Sequence, residues 1–351
     1  MQAKFKLIIL AILIYGLPIF LFAAFPFGRK IYPNFELFQS PILTWLTGKK
    51  IEHSSLGILF DAVMVYCFWI LGRKNSNINL EEERLYKIFT GIKKIFRAVF
   101  LTSIKDFSLL TKDEKVSLLF YLVKLFWAPL MLIFAIENVS SFVEIYNKYA
   151  VWNFDAPSII NLYFPLYVAA IFSLDTIIFS FGYIVESKSL KNVVKSVEPT
   201  ALGWISALVC YGPFFDTFTR FAGSLPQDFA DFGNININII AGISTIIFFS
   251  IYVWASVSLG FKASNLTNRG IVTTGAYKYV RHPAYAAKNI GWLLASVPLI
   301  KIMGFKALIN VLIWMFVYYV RAITEERHLS QDPDYLEYKK QVRHMFIPGL
   351  Y

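Results

Sequence analysis

Long apolar runs alternate with shorter polar segments along the whole chain. Eight of these runs can be interpreted as helices that cross a membrane. They are Phe5–Phe25, Leu56–Leu71, Val116–Ile136, Ile159–Val185, Ala201–Thr219, Asn238–Leu259, Ala284–Ile300 and Phe305–Val320. Because helices satisfy their own backbone polar groups inside lipid, the pattern predicts an all-α fold, a polytopic transmembrane helix bundle of about eight spans.

Basic residues mark alternate loops between these runs. The segment Ser187–Thr200 contains Lys188, Lys191 and Lys195, whereas the next loop contains Asp228 and Asp231 but no Lys. By the positive-inside rule the first segment is cytosolic, the second is external and both termini are cytosolic. Four basic residues of the first predicted outer loop depart from this rule: Arg29, Lys30, Lys49 and Lys50. We predict an integral protein of the cytoplasmic (inner) membrane or of an endomembrane.

The stretch near 81–110 has a different pattern, with apolar residues at helical spacing among basic ones. The apolar positions are Ile88, Ile92, Ile95, Phe96 and Val99, and the basic ones are Lys87, Lys93, Lys94 and Arg97. This arrangement is typical of an amphipathic helix that lies in the cytosolic headgroup plane. A face that binds a protein partner is the alternative interpretation.

Composition agrees with a membrane protein and narrows its chemistry. The chain is 57% hydrophobic and 18% aromatic, which excludes an ordinary soluble globular domain. Its formal net charge of +11 is explained by cytosolic loops and anionic membrane lipids, without nucleic acid. Cys67 and Cys210 lie inside apolar runs, and the four histidines form no H-E-x-x-H motif, so we expect neither a disulfide framework nor a metal site.

Several ionisable residues interrupt the predicted spans. They are Asp61, Lys124, Asp175 and Asp216. Because charges are costly in lipid, these side chains should face the bundle interior or a watery cavity. They would then either line a tunnel for a substrate or form pairs between helices.

The richest candidate chemistry lies in the stretch G-A-Y-K-Y-V-R-H-P-A-Y, residues 275–285. Arg281 and His282 provide positive charge immediately before Pro283, a residue suited to the first turn of a helix. A helix N-terminus preceded by Arg and His is a favourable binding site for a carboxylate or phosphate. An ordinary basic cytosolic loop is the alternative.

A second candidate segment is R-A-I-T-E-E-R-H-L, residues 321–329. Arg321 and Glu325 are four positions apart, so they share one helix face and can form an ion pair. Glu326 points to another side of the helix. Considered alone, this segment is an ordinary helix end with a surface ion pair.

Together these segments are far more specific than either one. The R-H-P-x-Y loop, an apolar helical hairpin, R-x-x-x-E-E, then Y-x-x-Y and a closing I-P-G-L-Y resemble the isoprenylcysteine carboxyl methyltransferase family and its phospholipid N-methyltransferase relatives. The resemblance covers about Ile240–Tyr351. It implies an integral membrane methyltransferase that uses S-adenosylmethionine, with residues 236–351 as the catalytic core and residues 1–235 as an N-terminal transmembrane region. Ser258-Leu259-Gly260 stands where the phospholipid enzymes have G-x-G, which disfavours a phospholipid acceptor.

The resemblance also implies roles for individual residues. Methyl transfer from a sulfonium needs positioning more than acid–base groups. Glu325 or Glu326 suits the ammonium of the donor, Arg281 or His282 its carboxylate, and Tyr277 or Tyr285 its adenine or sulfonium. Arg321 could orient an anionic acceptor or pair with Glu325. The predicted catalytic residues are Arg321 and Glu325, and the predicted cofactor-binding residues are Gly260, Tyr277, Arg281, His282, Pro283, Tyr285, Glu325 and Glu326.

The expected acceptor is a lipophilic or small molecule at the cytosolic face, with an isoprenylcysteine-like carboxylate favoured. An NADPH-dependent membrane reductase resembling sterol reductases is one alternative, although their acidic-cysteine segment is missing from residues 325–329. A non-catalytic transporter or scaffold is the other, favoured by the charges within the first helices.

Overall fold

The computed structural model describes residues 2–18, 37–39, 52–72, 79–100, 110–148, 154–222 and 231–349, with side chains omitted for 37–39, 52–61, 221–222 and 298–303. The chain divides into two compact units, Met1–Pro129 and Leu130–Tyr351. Helices dominate both units. The predicted helical fold is therefore confirmed, with two short antiparallel strand pairs added to it.

The first unit contains helices α1 (Gln2–Ala11), α2 (Ser55–Gly72) and α3 (Arg84–Phe100). Helix α4 (Lys112–Lys148) begins in this unit. Strands β1 (Leu37–Gln39) and β2 (Glu52–Ser54) pair with each other in antiparallel orientation. The core of this unit combines Leu7 from α1, Cys67 and Ile70 from α2, and Ile88 from α3. These apolar positions recur at helical spacing, which explains why the three helices pack on one another.

The predicted amphipathic helix is present as α3, and residues 101–109 of the predicted stretch lie outside the described part. Ile88 packs into the core of the first unit, while Ile92, Phe96 and Val99 are exposed. Lys87 and Lys94 of the same helix bind Asp113 and Glu114 at the start of α4, at 2.6 and 2.8 Å. The helix thus keeps an exposed apolar face, as an interfacial position requires.

The second unit contains the end of α4, then α5 (Phe164–Ile184), α6 (Ala201–Leu208), α7 (Phe214–Ala222), α8 (Ile235–Leu259), α9 (Pro283–Met303), α10 (Phe305–Leu329) and α11 (Pro333–Gln341), with strands β3 (Ser196–Val197) and β4 (Thr267–Asn268). Val168, Phe249, Trp292 and Tyr318 form one core cluster. Each belongs to a different helix, so α5, α8, α9 and α10 pack around a shared apolar centre.

Four helices of the described residues are long and apolar enough to cross a membrane. They are Lys112–Lys148, Ala156–Ile184, Ile235–Lys262 and Phe305–Leu329. These ranges contain the whole of the third, sixth and eighth predicted spans and all of the fourth except Val185. Much of the first predicted span, from residue 19 to residue 25, lies outside the described residues.

The predicted single helix Ala201–Thr219 is wrong. Helix α6 ends at Leu208 and α7 begins at Phe214, and each is far shorter than the ~20 residues that a span needs. Pro213 lies in the break, where it has no backbone N–H to donate and restricts Gly212 before it. The apolar composition of this stretch therefore reflects two short packed helices.

The interrupting charges occupy different environments. Asp175 of α5 is buried and accepts a hydrogen bond from the Tyr252 hydroxyl of α8 at 2.7 Å, so it links two helices. The Lys124 ammonium lies 4.9 Å from the ring centre of Phe120, and Asp216 is exposed on α7. The side chain of Asp61 lies outside the described part of the chain.

Candidate functional site

The R-H-P loop leads directly into α9. A 3-10 turn covers Gly275–Lys278, and α9 begins at Pro283. The first helical hydrogen bond runs from the Ala286 N–H to the His282 carbonyl at 3.0 Å. The expectation that Pro283 opens a helix with His282 at its N-terminus is therefore confirmed.

The C-terminal tail holds this loop in place. The Arg281 and His282 N–H groups donate to the carbonyls of His344 and Met345 at 3.0 and 2.9 Å. The Tyr338 hydroxyl of α11 donates to the Tyr277 carbonyl at 2.7 Å. The Y-x-x-Y segment thus fixes the backbone of the loop, and Tyr277 takes part through its carbonyl oxygen.

Arg281 and Glu326 bind each other. The Arg281 Nε lies 2.5 Å from Glu326 Oε1, and Lys339 Nζ lies 2.8 Å from Glu326 Oε2. His282 Nε2 is 3.4 Å from Glu326 Oε1. Arg281, His282 and Glu326 are all buried, and each charge of the pair is compensated by the protein itself. This pairing differs from the prediction, in which Arg281 and Glu326 bind opposite charges of a ligand.

Tyr285 stands between this cluster and the end of α10. Its ring stacks on the His282 imidazole, with centroids 5.5 Å apart and planes 7° from parallel. Its hydroxyl donates to Glu325 Oε2 at 3.0 Å. The Arg321 guanidinium lies 5.2 Å from the centre of the same ring, within cation–π range.

Arg321 does not pair with Glu325, as sequence spacing had allowed. Its Nη2 donates to Asn265 Oδ1 at 2.8 Å, and its side chain is buried. In the part of the chain that the structure describes, no carboxylate lies within ion-pair distance of Arg321. A buried guanidinium with five donors and no anionic partner is a candidate group for binding an anion.

These side chains meet at a cleft of about 440 Å³, counted with its open mouth. Tyr285 and three chain segments line the cleft. The first segment contributes Glu198, Gly203, Ser206 and Ala207, the second Ser264, Asn265, Leu266 and Thr267, and the third Arg321, Thr324, Glu325, His328 and Leu329. Arg321 and Glu325 give the cleft one cationic and one anionic group.

The structure thus separates the predicted site residues into two groups. Tyr285, Arg321 and Glu325 line the cleft, whereas Arg281, His282 and Glu326 form the adjacent ion cluster. Pro283 is the first residue of α9. Gly260 ends α8 at φ 52°, a left-handed conformation that favours glycine, so its place in the site is to turn the chain.

The polar residues of the cleft that were not predicted from the sequence include Glu198, Asn265 and His328. The pairing of β3 with β4 brings the first two together, since Glu198 N–H donates to the Leu266 carbonyl at 2.8 Å. His328 Nε2 lies 2.9 Å from the Ser196 hydroxyl. For Glu198 the available signal was an acidic residue two positions before the N-cap Thr200 of a helix, in a segment interpreted only as a basic cytosolic loop.

A salt bridge fixes the β3 segment against the loop after α10. Lys195 Nζ lies 3.0 Å from Asp332 Oδ2, which also accepts from Asn268 Nδ2 at 2.8 Å. Burial by itself raises the pKa of Asp332, but these hydrogen bonds outweigh it, and the pKa is lowered. The hydrogen bond to Asp332 raises the pKa of Lys195. Both shifts favour the charged forms that hold the two segments together.

Comparison with known proteins adds one finding. The model of the isoprenylcysteine carboxyl methyltransferase (ICMT) family matches residues 239–331. The match includes the R-H-P loop, Arg321 and both glutamates, whereas Glu198 and the rest of the α6 side of the cleft lie before it. Neither the curated proteins nor the solved structures give a match.

Proposed function

We propose that the chain belongs, through residues 239–331, to the isoprenylcysteine carboxyl methyltransferase family. On that premise it is an integral membrane methyltransferase that uses S-adenosylmethionine. The observation that carries this proposal is the cleft between α6 and α10. There a buried Arg321 without a carboxylate partner among the described residues lies near Glu325 and Tyr285.

The residues of the cleft fit the groups that such a reaction must hold. S-adenosylmethionine supplies a methyl group already activated by its sulfonium. Glu325, with a side chain 44% exposed, is available to bind an ammonium. Arg321 orients an anionic acceptor, and Tyr285 offers an aromatic face beside both. An acceptor carboxylate is already a nucleophile, so the protein needs no general base and contributes chiefly by positioning.

The ion cluster of Arg281, His282 and Glu326 lies next to this cleft and supports it. We assign Arg281 and Glu326 to positioning, because their charges compensate each other and tie the loop to α10. His282 stands at the N-terminus of α9 beside Tyr285, where the helix dipole and ring nitrogens favour the carboxylate of the donor. Gly260, Tyr277 and Pro283 set the path of the backbone around it.

A lipophilic acceptor is favoured by the surface of α10. Ile309, Leu312, Phe316 and Ile323 are exposed along this helix at spacings of three, four and seven residues. Such a stripe is typical of a helix that faces lipid. An acceptor dissolved in the bilayer would then lie next to the helix that carries Arg321, and a lipid-anchored carboxylate of the isoprenylcysteine type fits best.

We further propose that the cleft opens at the cytosolic face of a bundle of about eight spans with cytosolic termini, in the inner membrane or an endomembrane. Helices α6 and α7 would together form one broken span of this bundle. Lys188, Lys191 and Lys195 precede β3, whose segment forms one wall of the cleft. Such a concentration of Lys indicates the cytosolic side. In this proposal residues 236–351 are the catalytic core, and residues 1–235 form the N-terminal region.

The proposal is tested by incubating the purified protein with methyl-labelled S-adenosylmethionine and either a prenylcysteine or a total lipid extract. We expect label in an organic-soluble product that releases volatile methanol on mild base treatment, as a methyl ester does. Label stable to base would point instead to an amine or thiol acceptor. A protein that transfers no label to any fraction, and that binds no adenosyl compound, would contradict the assignment.

A further inference from the structure

Glu198 lies outside the family match, yet its side chain forms part of the cleft wall. It directly follows β3, and its backbone N–H bonds to Leu266 next to β4. The residue is only 2% exposed. A carboxylate buried to this extent normally has hydrogen-bond partners at both oxygens.

Only one of the two oxygens has them in the described part of the chain. Glu198 Oε1 accepts from Arg327 Nη2 at 2.7 Å and from the N–H and hydroxyl of Thr200 at 3.0 and 2.5 Å. Glu198 Oε2 is buried and has no hydrogen-bond partner among the residues that the structure describes. The side chain is therefore fixed through one oxygen, and the other oxygen is an unpaired buried atom of a residue that lines the cleft.

The fold keeps room for this arrangement. A Cβ at position 203 would overlap the Glu198 side chain, so Gly203 of α6 permits the carboxylate to pack against that helix. Thr200 is the N-cap of α6 and binds Glu198 Oε1 at the same time. Thr200 and Gly203, both at the start of α6, thus help to set the orientation of the Glu198 side chain.

Charge distinguishes Glu198 from the other glutamate of the cleft. The Arg327 guanidinium, at 2.7 Å, compensates the charge of Glu198. Glu325 accepts from the neutral Tyr285 hydroxyl and is about half exposed. An ammonium is therefore best placed at Glu325. The free oxygen of Glu198 suits a neutral donor, since a hydroxyl can bond to it without adding a second cation beside Arg327.

From this geometry we infer that Glu198 Oε2 accepts a hydrogen bond from a ribose hydroxyl of the adenosyl donor. The inference rests on the proposed function, because it assumes that the cleft binds an adenosyl compound. It adds a binding residue from outside the matched segment and assigns the two carboxylates of the cleft to two different parts of one ligand. Glu198 would bind the ribose, and Glu325 would bind the ammonium of the amino-acid tail.

The test pairs a change in the ligand with a change in the protein. Binding of S-adenosylhomocysteine and of its 2′-deoxy and 3′-deoxy analogues is measured by calorimetry with the full-length protein in detergent. We expect the wild type to bind at least one deoxy analogue about ten- to a hundredfold more weakly, the loss typical of one hydrogen bond to a charged group. Glu198→Gln should lose most of that discrimination, because Arg327 retains the amide oxygen and turns the NH₂ toward the ligand.

Glu186→Gln is the matched control, since Glu186 precedes the same segment and does not line the cleft; it should discriminate as the wild type does. If Glu198→Gln does not purify as a monodisperse protein, Glu198→Asp is measured by the same criterion, because it keeps the charge but withdraws the oxygen. A wild type that binds all three compounds equally, or discrimination that persists in the Glu198 variant, would overturn the inference and leave the methyltransferase proposal intact. Failure of the wild type to bind S-adenosylhomocysteine at all would instead overturn the proposed function.

Discussion

Arg321 and Glu325 lie one turn apart on α10, yet each side chain bonds elsewhere. Arg321 donates to Asn265 Oδ1 at 2.8 Å, and Glu325 accepts from the Tyr285 hydroxyl at 3.0 Å. Because they do not neutralise each other, the cleft retains one group for an anion and one for a cation. The proposed binding of an anionic acceptor and a cationic donor group depends on this separation.

Arg321→Gln should separate catalysis from donor binding. If Arg321 orients an anionic acceptor, its loss removes a charge-assisted contact of about 1.5–3 kcal/mol from the transfer step. We expect methyl transfer to fall about ten- to a hundredfold, while the affinity for S-adenosylhomocysteine changes by less than about threefold. Arg220→Gln, on the exposed face of α7, is the control. An equal loss of donor affinity would reassign Arg321 to the donor.

Glu325→Gln should act on the donor. Replacing the carboxylate removes the proposed partner of the ammonium, and the affinity for S-adenosylhomocysteine should fall about ten- to a hundredfold with little change in thermal stability. Calorimetry measures the affinity. Glu337→Gln, which removes an exposed partner of Lys340, provides a comparison. Unchanged affinity in the Glu325 variant would exclude it from the binding site.

Glu326→Gln should act mainly on folding, in contrast to its neighbour. The change leaves the buried Arg281 without its carboxylate, and breaking a buried pair costs about 3–5 kcal/mol. The double variant Arg281→Gln/Glu326→Gln should recover part of this loss, with a coupling of about 1–3 kcal/mol in a double-mutant cycle of unfolding free energies. Additive effects of the two changes would show that the pair does not act as a unit.

The Lys195–Asp332 bridge predicts a pH dependence with a defined sign. Since folding lowers the pKa of Asp332, its contribution to stability is complete above the unfolded pKa, about 3.9, and is lost as the pH falls through the lower folded value. The raised pKa of Lys195 gives a contribution that is complete below about 10.4 and is lost as the pH rises through its folded value.

Lys195→Gln should therefore reduce stability by at most about 1 kcal/mol in the neutral range, because the Lys195 side chain is half exposed. The difference from the wild type should shrink below about pH 4. Unfolding in detergent between acidic and neutral pH measures it, with Lys188→Gln as the control. A difference that grows toward low pH would contradict the assigned shift.

The sequence predicted the helices and the two motifs better than their mutual contacts. Apolar periodicity located α8 and α10, and Pro283 located the start of α9, because these signals are local. Arg281 and Glu326 were expected to bind a ligand, but they bind each other, since a contact across 45 residues is decided by packing that spacing does not encode.

Two further features, the break within Ala201–Thr219 and the position of Glu198, were not predicted from the sequence for similar reasons. Ala201–Thr219 was apolar enough for one span, yet the break at Gly212–Pro213 divides it, because hydropathy outweighed a local backbone signal in the prediction. Glu198 was missed because its position in the cleft depends on the pairing of two-residue strands, which are too short to give a periodic pattern. The residues supplied by distant segments were thus the ones that sequence reasoning could not place.

The most direct test of the account is which cofactor the purified protein binds. In the proposed site Glu325 binds the ammonium of the adenosyl donor and His282 favours its carboxylate, whereas the phosphates of NADPH would be repelled by the glutamates of the cleft. We predict that S-adenosylmethionine and S-adenosylhomocysteine raise the melting temperature, that NADPH does not, and that Glu325→Gln reduces the shift. Stabilisation by NADPH alone, with no response to either adenosyl compound, would contradict the account and favour a reductase.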